Sequence, residues 1–503
     1  MAEWNEYIND FYYPENTSAD APEKILYFFI RNELCSNSVD IEFTKESNKT
    51  NWNEIFKNID FKTNNNDVLD SFKEYYLIKL QEGRKGKGIL PVPFHIDIPC
   101  TFKIMSETKA MDNRGFSKKF LLAFFSKNEG INYSLIQKLW NVLSDYNELN
   151  YYEILILKRI KELGYKTVNY KLKSEEAFNV DFKRYNLHKF KCTHQTAQFQ
   201  IDLDYVLDLP LARVEKIGWV NNLIYFHFST YMMRIFYVIN LEEKKFNTKK
   251  SDYCSRCNGL KECPYKSQIM VKSSLTGNNR EANIVKSQYK ELVNNILIKG
   301  YYRFIALNQL FKTFKEITSK YPESISEVLL LYNSNPEQFL RVLKKRLSTF
   351  DKLNEIELLK EKINSLSIEN GENIFSSVFE IYKKYYEKTQ AKKSSSADNA
   401  TKQVYNKLAG DKMGCNYLKI NRNGVNNYYC LNSDFLTFIA NIIIGKGKRQ
   451  MPLEGFWKQM ETRGFFCSSV REKEIIEKQL SLLGHLERKS DAGESQYVEH
   501  TIF

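Results

Sequence analysis

The sequence predicts a mainly α-helical, multi-domain protein with small β elements and a C-terminal winged-helix module. Three observations predict it. Gly and Pro are scarce, 20 and 10 in 503 residues, so few positions break helices or supply tight turns. Residues 281–390 carry Leu292, Ile296, Tyr301, Ile305, Leu310 and Phe314 at spacings of four or five, close to one helical face. Residues 415–503 read, in order, as a hairpin, three short helices and a second hairpin. The chain is long enough for several cores. It divides into a helical region 1–175, a mixed α/β region 176–280, a helical domain 281–390 and a hairpin plus winged-helix domain 401–503.

Residues 1–82 read as helices joined by Asn-rich loops. The run Glu82-Gly83-Arg84-Lys85-Gly86-Lys87-Gly88 lacks the Lys-Ser/Thr ending of a phosphate-binding loop and reads as a surface turn. Ile89 to Phe94 is extended, because residues before proline avoid the helical region. Residues 116–165 read as helical, with Leu121, Leu122, Phe124 and Phe125 as the apolar stripe. Phe199 to Tyr205 alternates and reads as a strand. Leu223 to Ile239 is the most apolar stretch, but His227, Ser229, Thr230 and Arg234 interrupt it. It therefore reads as buried helix or strand, not as a membrane span. The small, polar run 391–400 reads as a linker.

Net charge is +13, and Lys and Arg release counterions when they neutralise phosphates, so a nucleic acid is the expected partner. The mixed start Met1 to Glu6 is unlike a secretory signal, and a cytoplasmic location is expected. Nine cysteines in such a chain favour metal binding or burial over a disulfide framework.

The sharpest motif is Cys254, Cys257 and Cys263, in the pattern C-x2-C-x5-C. The first pair has the spacing of a metal knuckle, and Asn258-Gly259 offers a turn that returns the third thiol. Lys249, Lys250, Arg256 and Lys261 surround the motif and favour the anionic sulfur that ligates metal. Over these ten residues the spacing resembles the cysteine staple of CRISPR-associated iron–sulfur exonucleases and AddB helicase–nucleases. That resemblance implies a 4Fe–4S cluster with a fourth ligand elsewhere, Cys192 first and Cys100 second. Zinc is the alternative, with His194 able to complete a Cys3His site. The same families use a carboxylate on one strand and Glu-x-Lys on the next. Asp202, Asp204 and the run Glu242-Glu243-Lys244-Lys245 are the candidates. The triplet follows that run too closely, and such runs are common on solvated helix ends. No catalytic residue is assigned.

The C-terminal region is the most legible. Tyr417 to Ile420 and Asn427 to Leu431 read as a hairpin. Ser433 reads as the cap of a first helix that buries Phe435, Leu436, Phe438, Ile439, Ile442 and Ile443 and stops at Gly445. Pro452 reads as the first residue of a second helix carrying Leu453, Phe456, Trp457 and Met460 and ending at Gly464. Ser469 to Glu472 has the capping-box pattern and opens a third helix with Ile476, Leu480 and Leu483 inward. A second hairpin, Leu486 to Lys489 and Gln496 to Val498, follows. Arg471, Lys473 and Lys478 on the third helix and Arg488 and Lys489 on the wing are the residues expected to meet DNA. Glu472, Glu474, Glu477 and Glu494 dilute that charge.

The tail Phe456-Trp457, Arg463-Gly464-Phe465, Leu480, Leu483-Gly484 and Arg488 to Val498 resembles the end of the G subunit of DNA phosphorothioation-dependent restriction systems. The match covers about the last fifth of the chain. It implies an anti-phage role and partner ATPase subunits. The sequence reading is thus a non-catalytic scaffold bridging DNA and ATPases. An iron–sulfur nuclease-like subunit, or a CRISPR-type DNA-binding large subunit, is the alternative.

Overall fold

The computed structural model describes residues 24–39, 41–43, 95–104, 119–127, 130–149, 153–154, 157, 169–184, 193–248, 269–276, 280–320, 322, 325–348, 357–367, 374–390, 397–410, 414–421, 426–488 and 496–502. The protein is mainly α with small β elements. Its first elements are α1 (Lys24–Phe28), a π-helical turn (Phe29–Leu34), β1 (Ile41–Phe43), α2 (Asp97–Thr101), β2 (Phe102–Ile104), α3 (Lys119–Phe124), β3 (Ser126–Lys127), β4 (Gly130–Ile131), α4 (Tyr133–Leu143) and α5 (Glu175–Arg184). Two long helices follow, α6 (Thr193–Asp208) and α7 (Arg213–Thr248), then β5 (Ile269–Ser273). The helical stretch comprises α8 (Arg280–Glu291), a π-helical turn (Leu292–Ile298), α9 (Lys299–Thr318), α10 (Ile325–Ser334), α11 (Pro336–Ser348), α12 (Glu357–Asn364), α13 (Ile374–Gln390) and α14 (Ala397–Ala409). The C-terminal region adds β6 (Leu418–Lys419), β7 (Tyr428–Leu431), α15 (Ser433–Ile444), β8 (Gln450–Pro452), α16 (Leu453–Thr462), β9 (Phe465–Cys467), α17 (Val470–Leu482), β10 (Leu486–Arg488) and β11 (Gln496–Glu499). No helix among the described residues is long and apolar enough to cross a membrane.

Contacts divide the chain into two compact units. One comprises residues 23–184 and 206–221; the other comprises 1–22, 185–205 and 222–503.

In the first unit Leu26, Phe29, Ile30, Leu122, Phe125, Ile136 and Leu143 are buried, and Phe29 stacks on Phe125 at 5.5 Å between centroids. The expected helix over 116–165 is interrupted, because β3 and β4 pair antiparallel between α3 and α4. Strands β1 and β2 pair in parallel. Arg31, 5% exposed, sends three hydrogen bonds into this corner, from Nη1 to Pro99 O at 2.7 Å and Cys100 O at 3.2 Å and from Nη2 to Val39 O at 2.7 Å. A buried guanidinium is tolerable when its donors find carbonyls. A second buried arginine, Arg213, pairs with Glu153.

In the second unit a four-stranded sheet has the order β6-β7-β5-β9, with β5 parallel to both β7 and β9. Helix α15 follows β7 and α17 follows β9. An aromatic cluster fills the space beside it: Phe226 lies 5.9 Å from Phe435 and 6.0 Å from Phe465, and Tyr417 lies 5.2 Å from Phe465. Strand β5, from the mixed region, thus shares one core with elements of 401–503. Helix α7 approaches α9 closely at Gly300, where an added Cβ would stand 2.7 Å from Phe236 Cβ. The C-terminal elements form a second sheet in the order β10-β11-β8, all antiparallel.

Several local expectations are corrected. Residues 199–205 are helical, within α6. Their alternation misled because Ile201 is 63% exposed while Asp202 is 1% exposed. The buried set Gln195, Phe199, Asp202, Leu203 and Val206 has helical spacing. The apolar run to Ile239, and Glu242 to Lys245 after it, are helical within α7. Asn432 caps α15, one residue before Ser433, by accepting from Phe435 N at 2.9 Å. Pro452 is the extended cap of α16 and ends β8, since pairing with Tyr497 holds it in the sheet. Ala397 to Ala400 of the expected linker open α14; 391–396 lie outside the described residues, as do 82–94.

Candidate functional site

Helix α17 carries Arg471, Lys473 and Lys478, three of the residues expected to meet DNA. It starts where Ser469 accepts a hydrogen bond from Glu472 N at 3.2 Å. Only that half of the expected capping box forms. The Glu472 carboxylate turns away, and its Oε2 accepts from Ser273 N and Thr276 Oγ1, both at 3.3 Å. Gln479, one helical repeat further, donates from Nε2 to Ser274 Oγ at 2.9 Å and Leu431 O at 3.1 Å and accepts from Ser273 Oγ at 2.7 Å. With Ile476 and Leu480 buried, this polar-and-apolar stripe fastens α17 to β5 and fixes which face looks outward.

That outward face carries Arg471, Glu474 and Lys478, all exposed, at the i, i+3, i+7 spacing of one helical side. Lys473 is half-buried, with its ammonium 5.2 Å above the Trp457 ring, a cation–π placement. Trp457 Nε1 donates to Glu477 Oε1 at 2.8 Å. Thus Glu472 is buried and Glu477 is engaged by Trp457, so neither dilutes the outer face as the sequence reading had it. Glu474 stands there between two cations. Arg488 lies in β10, but its side chain is outside the described residues, as are Lys489 and Glu494.

Cys254, Cys257, Cys263 and Cys192 also lie outside the described residues. Among the described residues no group of three or more His, Cys, Asp or Glu is arranged to hold a metal ion. His194 sits at the start of α6, and its pKa is pushed down to about 4 by burial and then by the charges of Arg234 and Arg463. Cys100 is fully buried in α2, and burial raises its thiol pKa.

The sequence reading missed the buried network centred on Asp202. Asp202 Oδ2 meets His227 Nε2 at 3.0 Å. Its Oδ1 accepts from Gln198 Nε2 at 2.7 Å and Arg463 Nη2 at 3.2 Å. Gln195 Nε2 lies 2.7 Å from His227 Nδ1 and donates to Thr230 Oγ1 at 3.2 Å. An amide nitrogen can only donate, so His227 accepts at Nδ1 and carries its proton on Nε2, directed at Asp202. Burial lowers the His227 pKa, against the pull of Asp202, so the ring is neutral and Arg463 balances the carboxylate. Asp202 and His227 are each 1% exposed, and every hydrogen-bonding atom of the pair is used inside the protein. This arrangement holds α6, α7 and the end of α16 together; it does not present a base to a substrate. Asp204, by contrast, faces Lys446, 3.8 Å from its Nζ at the surface. Asp202 and Asp204 both lie on a helix, not on the strand that carries the carboxylate in the nuclease families the sequence resembles. No signal within ten residues of Asp202 points to Arg463, 261 positions away.

No protein-family model matches the chain, and no curated protein matches it significantly.

Proposed function

We propose that this protein is a non-catalytic, DNA-associated scaffold subunit of a cytoplasmic anti-phage restriction complex of the phosphorothioation-dependent type, bridging DNA and partner ATPases. The observation that carries the DNA part is the arrangement of the C-terminal elements. The elements follow as α15, β8, α16, β9, α17, β10 and β11, with β8 paired to β11 and β9 paired to β5 in the other sheet. With β9 set aside, three helices and a closing hairpin are the order expected of a winged helix, in which the third helix would enter the major groove with the hairpin beside it. Buried Glu472 and Gln479 leave Arg471 and Lys478 on the exposed side of that third helix, where they would neutralise phosphates. The family and its ATPase partners rest on the resemblance of residues 456–498.

The middle of the chain supports the scaffold with a metal centre. Cys254, Cys257 and Cys263, with Cys192 as fourth ligand, would hold a 4Fe–4S cluster or zinc. Their donor chemistry, clustered thiols among lysines and an arginine, fits either. In this role the centre is structural and supplies no chemistry.

Titration of a DNA duplex with the full chain over a range of salt concentrations tests the reading. The logarithm of affinity should fall linearly with the logarithm of salt, and R471A/K478A should reduce the slope by about two. Binding that is unchanged by the double substitution, or absent at low salt, overturns the DNA assignment.

A further inference from the structure

Trp457 projects from α16 and is 7% exposed, beside fully buried Phe456. Two side chains of α17, of opposite charge, reach its indole. Glu477 Oε1 accepts from Trp457 Nε1 at 2.8 Å, and the Lys473 ammonium stands 5.2 Å from the ring centroid. An indole has one hydrogen-bond donor, at its edge, and a negative face. Both are in use, the edge by an anion and the face by a cation.

Lys473 and Glu477 are four residues apart on α17, and a lysine and a glutamate at that spacing are neighbours that pair with each other. These two do not pair. Among the described residues the Lys473 ammonium has no carboxylate or carbonyl partner, and Glu477 has the indole N–H as its partner. We propose that Trp457 is a positioning residue for DNA binding: it holds Glu477 away from Lys473 and so keeps the Lys473 ammonium available to a backbone phosphate. This role rests on the proposed reading of α17 as the helix that meets DNA.

The place of Lys473 on the helix fits a phosphate contact. It is half-buried, at the flank between the side that packs on β5 and the exposed side with Arg471 and Lys478. A helix seated in a groove meets the backbone at its flanks and the base edges at its centre. The ring face attracts the ammonium and offers no acceptor, so its three N–H donors stay unspent within the protein. A phosphate offers acceptors as well as charge, and its neutralisation releases a counterion. A carboxylate paired with Lys473 would cancel that gain, because the lysine would reach DNA already neutralised.

Salt titration of a labelled DNA duplex with the full chain, read by fluorescence anisotropy, tests the proposal. Loss of one phosphate contact lowers the slope of log affinity against log salt by about one. K473A should show that loss, and so should W457F, in which Glu477 is released to pair with Lys473. W457F/E477Q should regain the wild-type slope. W457F/E337Q has the same net charge but alters an exposed glutamate of α11, and it should stay at the reduced slope. Circular dichroism reports whether each variant folds, and rescue from position 477 alone is an outcome that a merely structural role for Trp457 would not give. Without DNA, K473A should change the emission of Trp457, isolated in each background by subtracting the corresponding W457F chain. A wild-type slope in K473A or in W457F overturns the proposal, as does W457F/E477Q that stays at the reduced slope. Trp457 emission unmoved by K473A overturns the cation–π placement independently of DNA. Wild type that binds no duplex at low salt overturns the DNA reading itself, and the role of Trp457 with it.

Discussion

Replacing Asp202 with alanine removes the anion at the centre of the buried network and leaves Arg463 charged and confined. Asp202 accepts from Gln198 and Arg463 and meets the His227 Nε2 proton. Its side chain is 1% exposed and that of Arg463 is 5% exposed, so water cannot replace the lost partner. Breaking a buried pair from one side costs about 3–5 kcal/mol, most of it the penalty of the orphaned charge. The structure places this loss in α6, α7 and the end of α16, which should open locally before the rest of the unit unfolds. Hydrogen exchange of peptides from α6 and α7 is the direct assay. A loss of about 4 kcal/mol accelerates exchange by roughly a thousandfold if exchange tracks the opening equilibrium. The decisive comparison is D202A/R463M, which removes both charges and fills the arginine's space with an apolar side chain. It should recover about 2 kcal/mol relative to the sum of the single variants, because no charge is then stranded. Exchange in the double variant equal to that sum would refute the pairing and reduce Asp202 to an ordinary buried polar group.

Acid should destabilise the protein. Burial lowers the pKa of His95, His227, His485 and His500 and brings His194 to about 4. Unfolded histidine binds its proton near pH 6.5, so below that pH the unfolded state binds more protons and stability falls as pH drops. His194 alone accounts for about 3 kcal/mol, lost between about pH 6.5 and 4. Urea midpoints at stepped pH check the direction, and a flat profile over that window contradicts it. The substitution G300A drives a Cβ against Phe236 and should cost about 1–3 kcal/mol, as overpacking does, read as a lower melting temperature; an unchanged melting temperature rejects the close approach of α7 and α9. Anaerobically purified protein should carry either iron with a broad visible band or stoichiometric zinc without colour. Either should disappear in C254S/C257S, and retention of full metal there excludes the triplet as ligand.

The sequence exposed what local periodicity encodes. The helices of 281–390 and the order of α15, α16, α17 and the closing hairpin follow from apolar spacing, glycines and caps within a dozen residues of one another. Gly445 and Gly464, at φ of 72° and 96°, stop their helices in a conformation that side chains resist. Long-range pairing was hidden. Strand β5 has five residues and gains its strand character from β7 and β9, whose paired residues lie more than 150 positions away. Phe199 to Tyr205 failed for a related reason. An exposed isoleucine and a buried aspartate invert the usual reading, and that inversion makes sense only once Arg463 and His227 are beside Asp202.

The same logic bears on α17, the helix proposed to meet DNA. Counting charges along α17 gives a nearly neutral segment, because Glu472 and Glu477 offset Lys473 and Lys478. The fold sorts those charges by depth. Glu472 is held by Ser273 and Thr276, Glu477 by Trp457, and Lys473 lies above that same indole. Arg471 and Lys478 stay outside with Glu474 alone between them. Replacing Glu474 with glutamine should therefore strengthen DNA binding and steepen its salt dependence, whereas E472Q should act on the attachment of α17 to β5 and leave the salt slope unchanged. Because both substitutions change net charge equally, a difference in slope between them reports position on the helix and not overall charge. Equal slopes would mean that DNA, if bound, is bound by another surface.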